Sequence, residues 1–439
     1  MRVLFFIFFS LQVFAWEGHY LLTYGALRDW SELSGALIKP ESLDKFVLKE
    51  KDSLEKLLKD YEDWAGKNIK SYPALPKNLA FNNNSNTQEL TRNFLYSIRV
   101  NPEIEYINFV LYPPGVNHRI KNSFTPEEKI KEPVKTLLAL SADNPVVEKI
   151  GERDLVSPVE ILTAASEEPD QVKLDIGLFE DNNTSYGPLM GLGKQPFGNP
   201  VVSYSSQAPF HMGFYYEKPI LYAAASWLKQ SYPEYRISLF LTLSRHAFAT
   251  GHDYWGYRFL GWALHYIQDL TQPYHSTLAP GWSWLKLIAL NTLELLGVPK
   301  PAQDLRQLLT NRHLVLENYQ FESAKNISSN DLLSRALTNY NQDKKYPIFS
   351  TQYPREIVAK ESHDRANLLD SLIVNSVPAK YVNKPDYIFT GTDPLINIRE
   401  IAFKHNFLQA HKLDFEFINL MSAYGSHTRN AIRALLPKP

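Results

Sequence analysis

The sequence predicts a mainly α protein, a multi-helix, bundle-like single domain interrupted by long loop insertions. Three observations carry this. Apolar residues recur at helical spacing through much of the chain, most strongly between Pro219 and Leu270. No stretch alternates apolar and polar residues long enough for a sheet, and no internal repeat occurs. The 439 residues are 44% apolar, enough for a large buried core, and the 28 prolines are scattered rather than gathered into a tail.

The elements follow in order. The start, "MRVLFFIFFSLQVFA", has one positive residue, Arg2, an apolar run from Val3 to Phe9, and Val13 and Ala15 at the positions a signal peptidase reads. Residues 1–15 are therefore expected to be a secretory signal and 16–439 the mature chain, secreted or periplasmic. The run is too short to span a bilayer, and no later segment has ~20 uninterrupted apolar residues, so no transmembrane segment is expected. Cleavage leaves "WEGHYLLTYGALRDW" as the new start, followed by an amphipathic helical region to about Gly66. From Ser71 to Asn144 the pattern loosens into loops around shorter helices. Leu155 to Ala165 reads as a helix, and the Gly-, Asn-, Asp- and Pro-rich stretch from Ser166 to Pro200 as a long functional or covering loop. "ILYAAASWLKQ", "RISLFLTLSRHAFATG" and "YRFLGWALHYIQDL" then read as successive helices, as do Trp284 to Leu296, about Asp304 through "HLVLENY", "DRANLLDSLIVNSV" and "FINLMSAYGSHTRNAIRALL".

Charge and cysteine content exclude some chemistry. The formal net charge is −1 and becomes −2 when Arg2 is removed, so no general field draws the chain to DNA, and no specific nucleic-acid partner is expected. With no cysteine, neither a disulfide nor a thiolate ligand is available, and a zinc site must use His, Asp, Glu and backbone groups. No Gly-x-Ser-x-Gly and no His-Glu-x-x-His occurs, which removes the support for an α/β-hydrolase lipase and for that kind of zinc peptidase.

The chemistry concentrates in "HYIQDLTQPYH". If Gly261 to Leu270 is helical, His265 and Asp269 lie one turn apart on one face, and Gln272 and Pro273 end the helix so that His275 can swing back toward it. The chain has two His-x-x-x-acid pairs, His265 with Asp269 and His313 with Glu317. Chance gives roughly one, so the count alone is weak. The linked pattern is more specific, because a third donor follows at a fixed offset and "HLVLE" comes at a distance suited to a neighbouring helix. Upstream, "PFHMGFYY" offers His211 and "SEEPDQVK" offers Asp170. After signal cleavage the free amino group and carbonyl of Trp16 can chelate a metal, with His19 close by.

This ordered set resembles the bacterial zinc-dependent phospholipases C, which are related to the single-strand-specific zinc nucleases. "WALHYIQDLTQPYH" is similar to their central motif, "HLVLE" to the later one, "EEPDQ" to their loop aspartate, and "FHMGF" to a His before an aromatic turn. The resemblance implies three zinc ions. Asp170, His211, His265 and Asp269 hold the first, His275, His313 and Glu317 the second, and Trp16, His19 and a bridging Asp269 the third. It also implies a phospholipid substrate at a membrane or vesicle surface, with Asp170 orienting the attacking water or taking its proton. Three dications against three carboxylates and a bridging hydroxide leave a charge of roughly +2, which suits a phosphodiester anion. Compared with compact members the chain carries a long insertion, about 29–155, that covers or extends the site. Gln171 stands where choline-recognising members have an aromatic residue, which leaves the headgroup open. The same zinc cluster also serves a nuclease or nucleotidase, and a non-catalytic zinc-stabilised binding protein is the alternative from another class.

Two further features compete for attention. His246, His252 and Asp253 form a rival cluster that reads as structural. "PGWSWLKLIALNTLELLG", beside the expected site, reads either as a buried helix or as a segment with Trp282 and Trp284 at a lipid interface.

Overall fold

The computed structural model of the chain describes residues 18–33, 35, 37–70, 72–84, 86–114, 116, 146–171, 174–175, 186–192, 208–325, 331–391, 393 and 395–436. The fold is mainly α. Its helices include α1 (His19–Leu27), α2 (Leu43–Asn68), α3 (Thr87–Ser97), α4 (Pro158–Ala165), α5 (Pro233–Ala249), α6 (Asp253–Asp269), α7 (Trp284–Leu295), α8 (Lys300–Ala324), α9 (Lys360–Ser376) and α10 (Phe407–Arg433). A two-stranded antiparallel sheet, β1 (Phe109–Tyr112) with β2 (Val146–Lys149), pairs Phe109 with Lys149 and Tyr112 with Val146. Alternation did not predict it, because four-residue strands are too short to show a period of two.

At the centre is α6. Fifteen of its seventeen residues are buried, so it reads as a core helix that is enclosed on every side rather than on one face. Trp255, Phe259 and Trp262 pack successively along it, the first pair tilted and the second edge-to-face, and full burial of side chains of this size contributes roughly 2–3 kcal/mol each. It packs against α5, α4, α10 and the turn carrying Asp170. Gly261 makes the approach of α4 possible: a Cβ there would lie 2.4 Å from the Cβ of Ala165. That contact places the end of α4, and the carbonyl of Ser166, against His265.

The helix predicted over Leu155 to Ala165 begins instead at Pro158. Ser157 caps it, with a reciprocal bond between the Ser157 backbone and Glu160 at 2.7 Å. The region predicted helical up to Gly66 is broken between α1 and α2, and α2 starts at its own cap, Ser42. The helix expected from Asp304 begins a turn earlier, at Lys300 with Pro301 in its first turn.

The described part of the 29–155 insertion extends the core. Phe46 of α2 packs on Trp255 and Phe259, and Arg258 of α6 reaches the Ile107 carbonyl and the Asn108 side chain. His252 bonds Glu41 at 2.6 Å and His246 bonds Ser53 at 3.0 Å, so this rival cluster ties α2 to the α5–α6 turn. No helix among the described residues is long and apolar enough to cross a membrane.

Candidate metal centre

Eight of the nine sequence-predicted ligands come together in one buried region; the ninth, Trp16, lies outside the described residues. Each arrives on a different kind of support. Gly18, at φ 71°, takes a left-handed turn that starts α1 and places His19 at its first position. Asp170 sits on a short turn, Glu168–Gln171, and His211 at the end of another, Ala208–His211. His265 and Asp269 lie one turn apart on the last part of α6, as the spacing predicts. Gln272 caps the turn Pro273–Ser276, whose His275 folds back, and His313 and Glu317 lie one turn apart on α8.

Three groups of donors each converge with their ligand atoms within 4.8 Å of one another: Asp170, His211 and His265; His19, His265 and Asp269; and His275, His313 and Glu317. All eight residues are at most 8% exposed. His265 belongs to two of the groups, and Asp269 reaches members of both through its two oxygens. Oδ1 faces His19 Nε2 at 3.3 Å, while Oδ2 faces His211 Nδ1 at 2.7 Å and His265 Nε2 at 3.4 Å. Asp170 Oδ1 lies 3.6 Å from His265 Nε2 and 3.8 Å from His211 Nε2. In the third group His275 Nε2 and His313 Nε2 are 3.1 Å apart, and Glu317 Oε1 is 2.8 Å from His313 Nε2. His275 therefore joins α8 rather than His265 and Asp269.

The outer hydrogen bonds set which ring nitrogens face inward. His265 Nδ1 donates to the Ser166 carbonyl at 2.8 Å and His275 Nδ1 to the His211 carbonyl at 3.0 Å. His19 Nδ1 meets Gln268 Oε1 at 2.8 Å, and Gln268 spends its amide protons on Thr23 at 3.0 Å and Thr428 at 3.2 Å, so Oε1 is the acceptor. Each of these rings then turns an Nε2 lone pair toward the cluster, as metal-binding histidines do. His265 Nε2 faces His211 Nδ1 at 3.1 Å.

Lone pairs facing carboxylates repel unless something positive sits between them. His19 Nε2, Asp170 Oδ2, His211 Nε2, Asp269 Oδ1 and Glu317 Oε1 are buried without a hydrogen-bond partner, an arrangement that costs roughly 1–3 kcal/mol for each group. Donor separations of 2.8–3.8 Å bracket the roughly 3.3 Å edge of a tetrahedron with ~2.0 Å metal–ligand bonds. The donor set, all nitrogen and carboxylate oxygen, fits a borderline dication of the zinc type.

The electrostatics agree. Burial pushes Asp170 and Glu317 well above the usual carboxylate range. Burial also works against Asp269, but the neighbouring His265 and His211 hold it well below that range. His19 and His211 are raised against burial, chiefly by Asp269. His265 and His275 are pushed down by burial, and His313 to about 3. Asp269 is thus the fixed negative charge, and the field that draws a proton onto His19 or His211 also draws a metal cation.

Several supporting residues carry no sequence signal of their own. Glu168 holds the Asp170 turn on α6 through Arg258, at 2.9 and 3.0 Å, and through the Trp262 indole at 2.9 Å. Tyr266 packs on the His211 and His265 rings and bonds Asp175, which also pairs with Arg236. Tyr274 stacks on His313 and bonds Asp370, which Arg312 also holds, fixing α8 against the His275 turn. His363 bonds Thr277 at 2.8 Å just beyond His275. No family model, no curated protein and no solved structure matches the chain.

Proposed function

We propose that the chain is a zinc-dependent phosphodiesterase, specifically a phospholipase C that hydrolyses glycerophospholipids to diacylglycerol and a phosphorylated headgroup. The observation that carries this reading is the convergence of eight buried His, Asp and Glu donors, five of which, His19, Asp170, His211, Asp269 and Glu317, each keep an atom without a hydrogen-bond partner. Zinc, when bound, supplies a Lewis acid for phosphoryl oxygens and lowers the pKa of bound water. Asp269 bridges two groups, and Asp170 keeps one oxygen toward His211 and His265. Its other oxygen, Oδ2, has no partner, and we assign it to orient the attacking water or take its proton. His275, His313 and Glu317 would hold a further ion.

Export completes the proposal. Removal of residues 1–15 makes Trp16 the amino terminus, three residues ahead of His19 and so within roughly 10 Å of chain from the cluster. Its amine and carbonyl then supply the remaining donors beside His19 and Asp269.

The test is product release from phosphatidylcholine vesicles and from single-stranded DNA, side by side, with and without a zinc chelator. Chelator-sensitive phosphocholine release supports the proposal. Chelator-sensitive nucleotide release alone moves the same metal cluster to a nuclease, and bound zinc with no turnover of either substrate makes the chain a binding protein.

A further inference from the structure

The helix α7 departs from the rule for surface helices. None of its 12 residues is buried, yet most are apolar. Leu285 (61% exposed), Ala289, Leu293 (38%) and Leu296 (74%) recur at spacings of four, four and three, which aligns them as one outward stripe. Trp284, Leu295 and Val298 border it, all exposed. A helix lying on its own protein presents charged residues outward; this one presents leucines. The expectation of a buried helix is therefore corrected.

Its inward side is apolar as well. Leu287, Ile288 and Leu290 line a cavity of about 360 Å³ with Leu221, Leu278 and Leu309. Two of its lining residues belong to segments that carry ligands: Leu278 follows His275 by three residues, and Leu309 lies one turn before His313. Of the eight ligands His313 is the most exposed, at 8%.

Charge supplies the second argument. Between Gly281 and Val298 the charged residues are Lys286 and Glu294. Arg306 binds Glu294 through two bonds, at 2.7 and 3.0 Å, so Lys286 carries the uncompensated charge. Its ammonium lies 3.9 Å from the centre of the Trp282 ring. It also sits in a first helical turn without an acid, where a cation opposes the helix dipole. An anionic surface beyond the helix offsets that cost. A second copy of the chain is a poorer occupant. A helix face roughly 18 Å long and 10 Å wide covers a few hundred Å² at most, below the roughly 800 Å² per partner of a stable dimer.

We propose that α7 is a membrane-docking helix that lies in the headgroup plane of a phospholipid bilayer. The stripe from Leu285 to Leu296 enters the acyl boundary, Trp282 and Trp284 sit at headgroup level, and Lys286 meets lipid phosphate. That the cavity behind α7 then receives an acyl chain of the lipid under attack rests on the phospholipase reading; the docking itself does not.

The test is sedimentation of the mature, metal-loaded chain with two kinds of vesicle. Both are made from non-cleavable phosphonate analogues, one of phosphatidylcholine alone and one with an equal part of phosphatidylglycerol. Turnover of bis(p-nitrophenyl) phosphate is measured in parallel as a soluble phosphodiester. Wild type is expected to bind both vesicles, and the anionic ones more tightly. Leu285→Glu/Leu293→Glu should lose at least about tenfold in partitioning. Lys286→Glu should lose about fivefold on anionic vesicles and little on neutral ones. All variants should keep wild-type circular dichroism, and any turnover of the soluble ester should match wild type. Failure of wild type to bind either vesicle, equal binding by the double variant, or a dimer that the double variant abolishes overturns docking. Vesicle binding that depends on α7, without turnover of any phosphodiester, leaves docking intact and removes the phospholipase reading.

Discussion

Replacing Arg258 with methionine tests how the turn bearing Asp170 is held. The guanidinium is buried and makes four hydrogen bonds: two to Glu168 at 2.9 and 3.0 Å, one to Asn108 at 3.1 Å and one to the Ile107 carbonyl at 3.0 Å. Methionine retains much of the volume and donates nothing. Glu168, which burial already pushes up against the pull of Arg258, would keep only the Trp262 indole, at 2.9 Å. Breaking a buried ion pair by removing one partner costs about 3–5 kcal/mol. The two further orphaned acceptors, at about 1 kcal/mol each, place Arg258→Met at the upper end, near 5 kcal/mol. Against a total stability of about 5–15 kcal/mol, that is a large part of the fold's margin. Equilibrium urea unfolding followed by tryptophan fluorescence measures it. The double variant Glu168→Gln/Arg258→Met removes the stranded charge and should recover about 2 kcal/mol. A loss under about 1 kcal/mol, as for an exposed pair, or a double variant no more stable than the single one, refutes the reasoning.

Three further outcomes are expected. Gly261→Ala places a Cβ 2.4 Å from that of Ala165, so α4 and α6 must separate. A net destabilisation of about 1–2 kcal/mol, after the usual gain in helix propensity, should appear in thermal unfolding. Gln268→Met removes the acceptor that orients His19 and should weaken the tightest-competing zinc site about 10–100-fold in titration against a chromophoric chelator. Asp343 is pushed up by burial but held below its ordinary value by Arg429, at 2.7 and 2.8 Å, and Arg433, at 2.7 Å. Its folded pKa is depressed, so its contribution is present above the unfolded value of about 3.9 and disappears as pH falls through the folded value. Asp343→Asn should thus cost stability at neutral pH, and urea midpoints of the two proteins should converge on acidification below pH ~4.

What could be read from the sequence was local. His265 with Asp269 and His313 with Glu317 are pairs spaced by one helical turn, and that periodicity survives whatever surrounds the helix. The stop at Gln272 and Pro273 likewise forecast a turn at His275, although the ring meets His313 and Glu317 on α8 rather than the face of His265 and Asp269. The outer shell was not legible, because the groups that orient the rings are the Ser166 and His211 carbonyls and Gln268. Backbone carbonyls have no identity in sequence, and Gln268 acts only through contacts to α1 and α10. The same limit left the choice between a buried and an exposed α7 open. Apolar spacing reports that a helix has a greasy face, while packing against Leu221, Leu278 and Leu309 decides that a second greasy face points outward. The sheet within the insertion was missed because β1 meets β2 across more than thirty intervening residues, a separation that a local pattern does not reach.

The most direct test of the metal centre is elemental analysis of the purified chain after dialysis against metal-free buffer, with Asp269→Asn treated in parallel. Wild type is expected to retain more than one zinc per chain, which the three converging donor groups have room to hold. Asp269→Asn, still folded by circular dichroism, should lose most of it. A folded wild-type chain that retains no zinc and takes none up, or an Asp269→Asn variant with unchanged zinc, would contradict it.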